Sequence, residues 1–289
     1  MEVLKRPVAQ TKLRLQRARA DYGWFDVAFR TFKRFSEDDA GSYAAALTYY
    51  TFFSIFPLLL FAAAVLGYVT FGNDSLRQDL LTSGLQTVPI LKDALTPESL
   101  ETIMENRDSI ALTGAVLALY SGSGAIVALE HALNKIYHVA DEPNFLSKRI
   151  RSLMWLAIFG VGAVASLALS AVTGWAPGPL ATILALIAGL TVNTGLFATA
   201  FKFLPGKAMS WTDVLPGAIV AAVGFELLKV GGALYLARGE AARSATFGAF
   251  AAAAVLLIAS YLIAQVTLLA AEVNAVLAER RTTREPLLE

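Results

Sequence analysis

Apolar residues in this chain gather in long uncharged runs, and the runs set the architecture. No residue from Ala40 to Gly72 is charged, a stretch of 33, where about 20 suffice to cross a hydrocarbon core. This predicts a helix near 44–70, kinked where Pro57 interrupts it. A second helix is expected near 109–131. Ser152 to Phe201 holds 50 uncharged residues, too many for one crossing. The segment Gly174-Trp175-Ala176-Pro177-Gly178-Pro179 divides them, giving helices near 152–173 and 180–203. Leu204-Pro205-Gly206-Lys207 reads as a turn. Ser210 and Asp213 have capping-box spacing and open a fifth helix, near 213–237. Arg238–Arg243 reads as a short polar loop, followed by a sixth helix near 246–278. The expectation is an all-α integral membrane protein, with six transmembrane helices over 40–278 and a polar tail at 279–289.

The polar stretches orient these spans. Residues 1–39 are basic. Within them Phe25, Phe29, Phe32 and Phe35 recur at helical spacing, with Trp24 beside them and Arg30, Lys33 and Arg34 interleaved. An aromatic stripe with basic flanks predicts an amphipathic helix lying in the membrane surface; a helix packed on its own protein is the plainer alternative. Ser36 and Asp39 again have capping-box spacing. Residues 73–108 are rich in acids and too polar to span, so they are expected to form an outer loop with one or two short helices, one of them opened by Thr96-Pro97-Glu98. Under the six-helix scheme 18 Lys and Arg fall on one side and five on the other. The positive-inside rule then puts both termini in the cytoplasm.

Composition agrees: 56% of residues are hydrophobic and 16% charged, against about a quarter charged in soluble domains. There is no cysteine, and the histidines are two, His131 and His138. Disulfides, thiolate metal sites and cysteine nucleophiles are therefore excluded. The net charge of +1 points to no polyanionic partner. The N-terminus does not read as a cleavable signal peptide, because no apolar core follows its basic residues.

Three stretches give the chain a family resemblance. They are Asp39 to Tyr50 running on to Phe53-Ser54-Ile55-Phe56-Pro57; Ala132-Leu133-Asn134-Lys135-Ile136-Tyr137; and a set joining Leu204-Pro205, Asp213 to Ala218 and Glu226 to Lys229 with Gly248, Tyr261 and Ala271 to Ala275. In this order they resemble the bacterial YihY/BrkB family, once labelled ribonuclease BN. The resemblance covers most of 39–278 and implies a six-helix protein of the bacterial inner membrane. It brings no agreed activity and no site residues.

The nuclease label finds no support in the residues. A two-metal nuclease needs clustered histidines and acids, and two histidines at one helix end do not supply them. Glu130, His131 and Asn134 are a weak metal set, and no metal, cofactor or nucleic-acid partner is expected. The sharpest feature is Glu226 with Lys229, i and i+3 on one face, about halfway along the fifth helix. Charges at such a depth lean towards function, although a neutralised pair that fixes packing reads almost as well. Asn193, Gln265, Glu272 and Asn274 complete a candidate intramembrane polar site. Lys135, Lys148, Arg149 and Arg151 are candidate contacts to anionic lipid headgroups. The favoured function is a transporter or flippase-like protein for a lipid, ion or small polar solute. The alternative is a non-transporting scaffold or envelope-assembly factor. Membrane lipids are the expected partners, and a homo-oligomer is compatible with the sequence.

Overall fold

The computed structural model describes residues 23–69, 106–139, 148–162, 179–247 and 249–284, and these are almost entirely helical. The helices are α1 (Gly23–Glu37), α2 (Ala40–Val69), α3 (Arg107–Ile136), α4 (148–162), α5 (Pro179–Phe203), α6 (Trp211–Phe247) and α7 (Ala249–Arg284). The expected short helices of 73–108 and the Gly/Pro break at 174–179 lie outside the described residues, except for the ends that α3 and α5 occupy. Four stretches among the described residues have the length and apolar character of a membrane span: Asp108–Ile136, Leu186–Phe203, Trp211–Tyr235 and Ala253–Arg281.

The helices extend further than the uncharged runs suggest. Arg238–Arg243 is not a loop, because α6 continues through it to Phe247. Likewise α7 runs past 278 to Arg284, and α3 ends at Ile136 rather than near 131. Charge marks where a chain leaves hydrocarbon, but Arg, Glu and Ala are good helix formers and keep the backbone wound.

Caps set the ends. Ser210 opens α6 as its spacing predicts: its N–H and hydroxyl both bond the Asp213 carboxylate. The box at Ser36 does not form. Ser36 belongs to the last turn of α1, and the cap of α2 falls three residues later, at Asp39, which accepts from the Ser42 hydroxyl at 2.9 Å. Asp39 takes the left-handed conformation (φ 54°) that the tight α1–α2 turn requires, a region aspartate tolerates better than most residues. At the far end of α3 His138, also left-handed (φ 53°), closes a Schellman turn. Its N–H bonds the Lys135 carbonyl, and that of Val139 bonds Asn134.

Helix α2 packs along α3, α6 lies between α5 and α7, and α7 packs on α2; α1 sits across the end of α7. Two glycines allow α6 and α7 to approach. A Cβ on Gly217 would fall 2.2 Å from the Ala270 carbonyl oxygen, and one on Gly224 would fall 2.6 Å from Val266, so neither position admits a larger side chain. The largest fully buried apolar side chains, Leu133, Ile136, Phe201, Leu204, Val214, Leu268 and Val276, all lie towards one end of the bundle. There α3 and α5 finish, α6 begins, and α7 runs into its second half. Elsewhere α3, α5, α6 and α7 expose large apolar residues such as Leu112, Leu180, Leu227 and Ile258, the outward face expected of a helix solvated by lipid.

Candidate functional site

The six residues proposed from sequence for the intramembrane site fall into three groups. The first is at mid-helix. Lys229 pairs with Glu226 Oε1 at 2.7 Å along one face of α6, and the same oxygen accepts from Asn193 Nδ2 of α5, also at 2.7 Å. Asn193 is buried, the Glu226 side chain is 13% exposed and that of Lys229 31%. Gly189, one turn before Asn193, gives the carboxylate room: a Cβ there would sit 3.3 Å from Oε1. The Lys229 ammonium also lies 5.5 Å from the Phe225 ring centroid, a cation–π distance. The seam between α5 and α6 therefore carries an ion pair whose acid is also bound by an amide.

The second group is Gln265 alone, which donates to the Tyr261 hydroxyl of its own helix at 2.6 Å. The third is Glu272 with Asn274, both fully buried near the packed end. The Asn274 carbonyl accepts from the Gly217 N–H at 2.6 Å. Pro216 precedes Gly217 inside α6, where a proline ring disturbs the helical ladder around it, and the Gly217 N–H is bound by α7. Glu272 has no such partner, since neither of its oxygens accepts a hydrogen bond. Its charged neighbours are Asp38, in the α1–α2 turn, and Arg34 on α1. Tyr137, the residue after α3, is turned inwards by the Schellman closure and lies beside Asn274 and Glu272. Burial, above all, pushes its phenol beyond the ordinary tyrosine range; Asn274 opposes this and the Glu272 carboxylate adds to it.

The four basic residues assigned to lipid headgroups divide as well. Arg151 of α4 is ion-paired with Glu130, whose side chain is 1% exposed. Arg149 donates to the Tyr120 carbonyl at 2.8 Å and stacks over the Tyr120 ring. Lys135 is exposed and Lys148 half-buried. Glu130 is thus a buried counter-ion. Asn134 accepts from the Gly206 N–H at 2.8 Å, tying the end of α3 to the turn before α6. Among the described residues no group of three or more histidines and acids is placed to hold a metal.

The amphipathic helix α1 docks by its polar side. Asp26, buried, is bonded by Arg280 of α7 and by Arg30 at 2.9 Å, and Arg34 pairs with Glu279 at 3.5 Å. The aromatic stripe is divided: Trp24 is 72% and Phe32 64% exposed, while Phe35 packs on the core. A cavity of about 680 Å³ opens at this end between α1, the end of α3, the start of α6 and α7. It is lined by Arg34, Tyr137, His138, Lys207, Ala275 and Arg281 among others. Sequence spacing revealed Glu226–Lys229 and the Ser210–Asp213 cap; the links across helices, Asn193–Glu226, Gly217–Asn274 and Glu130–Arg151, leave no local signal.

No solved structure matches the chain. It is similar to the ribonuclease-like protein YfkH of Bacillus subtilis, with 26% identity over 86% of this chain and 94% of YfkH. A UPF0761 membrane protein of Ralstonia nicotianae shares 30% over 85% of this chain and 57% of its own length. The inner membrane protein YhjD of Escherichia coli shares 26% over 70% and 66%. These relatives and the long apolar helices assign it to the inner membrane as a multi-pass protein. The family model described as virulence factor BrkB matches residues 31–289, and the chain belongs to that family.

Proposed function

We propose that this protein is a transporter or flippase-like protein, in which polar groups of α5, α6 and α7 carry a lipid headgroup, an ion or a small polar solute past the apolar core. The observation behind this is the Asn193–Glu226–Lys229 group. A charge at the bilayer centre costs about 2.5–3.5 kcal/mol on insertion scales, and here two are held between faces that are otherwise apolar. In the accompanying topology six helices span and both termini are cytoplasmic, as the 18-to-5 distribution of Lys and Arg supports. In that orientation α1, with Trp24 and Phe32 outward, lies in the inner leaflet surface, and Lys135 meets anionic headgroups.

The test is flux through reconstituted vesicles. Headgroup-labelled phospholipid, protons and small ions are followed in wild type and Glu226→Gln, with folding checked by thermal unfolding. Flux changed in a folded Glu226→Gln variant supports transport; equal flux of every probe in both proteins overturns it. A reporter fused after Leu85 should lie outside, and cytoplasmic labelling there would sink the six-span topology. One observation favours a scaffold instead: a single Glu226 oxygen is bound by both Lys229 and Asn193, a locally satisfied arrangement that needs no ligand.

A further inference from the structure

Glu272 stands three turns before the end of α7, enclosed on every side. Its residue has no accessible surface, and both carboxylate oxygens lack a hydrogen-bond donor. Enclosed polar groups are nearly always hydrogen-bonded, and an enclosed carboxylate without a donor or counter-ion costs several kcal/mol even after relaxation. The elements around it do not remove this cost. The α1–α2 turn brings a second carboxylate, Asp38, and α1 brings Arg34, which is shared with Glu279 at 3.5 Å. Past α3 stands Tyr137, whose hydroxyl is also without a hydrogen bond. From α6 come Gly217, bound to Asn274, and Asp213, occupied by Arg281 at 2.9 Å. Among the described residues Arg34 is the cation set against the Glu272 and Asp38 carboxylates. One positive charge thus faces two negative ones beside the orphan oxygens of Glu272 and Tyr137, while Lys207 on the cavity wall reaches the Tyr137 carbonyl at 3.4 Å. The 680 Å³ cavity begins next door, with Arg34, Tyr137 and Ala275 on its wall.

We propose that Glu272 is the binding site for a small monovalent cation, a proton or an alkali ion, drawn from this cavity, with Asp38 and the Tyr137 hydroxyl supplying the neighbouring oxygens. Single charge follows from the company. Arg34 of α1 stands beside the two carboxylates and repels a divalent ion more strongly than a singly charged one. The site stands on the α7 geometry and does not depend on transport, so it holds equally for a scaffold.

The test uses full-length protein in phospholipid nanodiscs. Dicyclohexylcarbodiimide, which modifies protonated carboxyls in apolar surroundings, is applied across pH and salt, and the modified residue is located by mass spectrometry. Labelling at Glu272 that falls several-fold as pH rises, indifferent to salt, identifies the proton. Labelling suppressed at fixed pH by sodium or potassium chloride, but not by choline chloride of equal strength, identifies an alkali ion. No labelling at Glu272 under any condition, or equal labelling under all, overturns the proposal. A second readout is the thermal midpoint, which should depend on pH or alkali salt in wild type and lose that part of the dependence in Glu272→Gln. Should that variant fail to fold, the wild-type labelling pattern still decides.

Discussion

Glu226 and Glu272 are both glutamates set in long apolar helices, and their surroundings differ in kind. Glu226 lies on a seam, its charge matched by Lys229 three residues on and its oxygen bound by Asn193 across the seam. Glu272 is enclosed, faces a second acid, and accepts no hydrogen bond. The first arrangement is complete within two helices. The second is assembled from α1, α3 and α7 and sets one guanidinium, Arg34, against two carboxylates. The first meets its own electrostatic needs and the second does not, so the site most visible in sequence and the site most in need of an occupant are different places.

The comparison breaks most readily at Glu226. Removing one member of a buried ion pair costs about 3–5 kcal/mol, whereas replacing both with neutral groups of similar size is often tolerated. Lys229→Met should therefore destabilise the protein by about 3 kcal/mol, the lower end because Lys229 is 31% exposed. Glu226→Gln combined with Lys229→Met should recover most of that loss in thermal unfolding. If the single and double variants lose the same amount, the pair is not self-sufficient and the contrast with Glu272 fails.

Gly217 probes the other region. Its place against the Ala270 carbonyl, 2.2 Å from where a Cβ would stand, makes Gly217→Ala an overpacking change of about 2 kcal/mol. Asn274→Ala should cost about 1–2 kcal/mol, because it leaves the Gly217 N–H without its acceptor. The double variant should lose less than the sum, since both changes act on one contact. Full additivity in thermal unfolding would show that the α6–α7 junction beside Glu272 is not held in this way.

What the chain reveals in advance follows from the range of the forces involved. Uncharged runs locate α2 and α5 because hydrocarbon solvation acts residue by residue, and the Ser210–Asp213 cap is legible because it closes within one turn. Glu226 with Lys229 is legible for the same reason. Arg238–Arg243 misleads, because charge ends an apolar run without ending the helix that carries it. The cap at Ser36 misleads because Ser36–Asp39 and Asp39–Ser42 share the same three-residue spacing, and packing of α1 chooses between them. Glu130 and Arg151 show the remaining limit: each alone resembles a metal ligand or a lipid contact, and only the approach of α4 to α3 makes them partners.

The finest test lies at Tyr137, the neighbour that Glu272 and Asn274 share. Its hydroxyl makes no hydrogen bond, so Tyr137→Phe should change stability near neutral pH by less than about 1 kcal/mol. At alkaline pH the two proteins should diverge. Enclosure keeps the native phenol protonated at a pH where an unfolded tyrosine, ionising near about 10, has lost its proton. Stability is therefore whole below that value and falls as pH rises above it, because the unfolded chain releases the proton first. Tyr137→Phe should lack this share of the decline. Glu272→Gln removes a repelling carboxylate, so the phenolate absorbance of Tyr137 should appear at lower pH than in wild type. An unmoved onset would mean that Glu272 presents no bare charge even in alkali, where a proton has gone, and that an alkali ion holds the site.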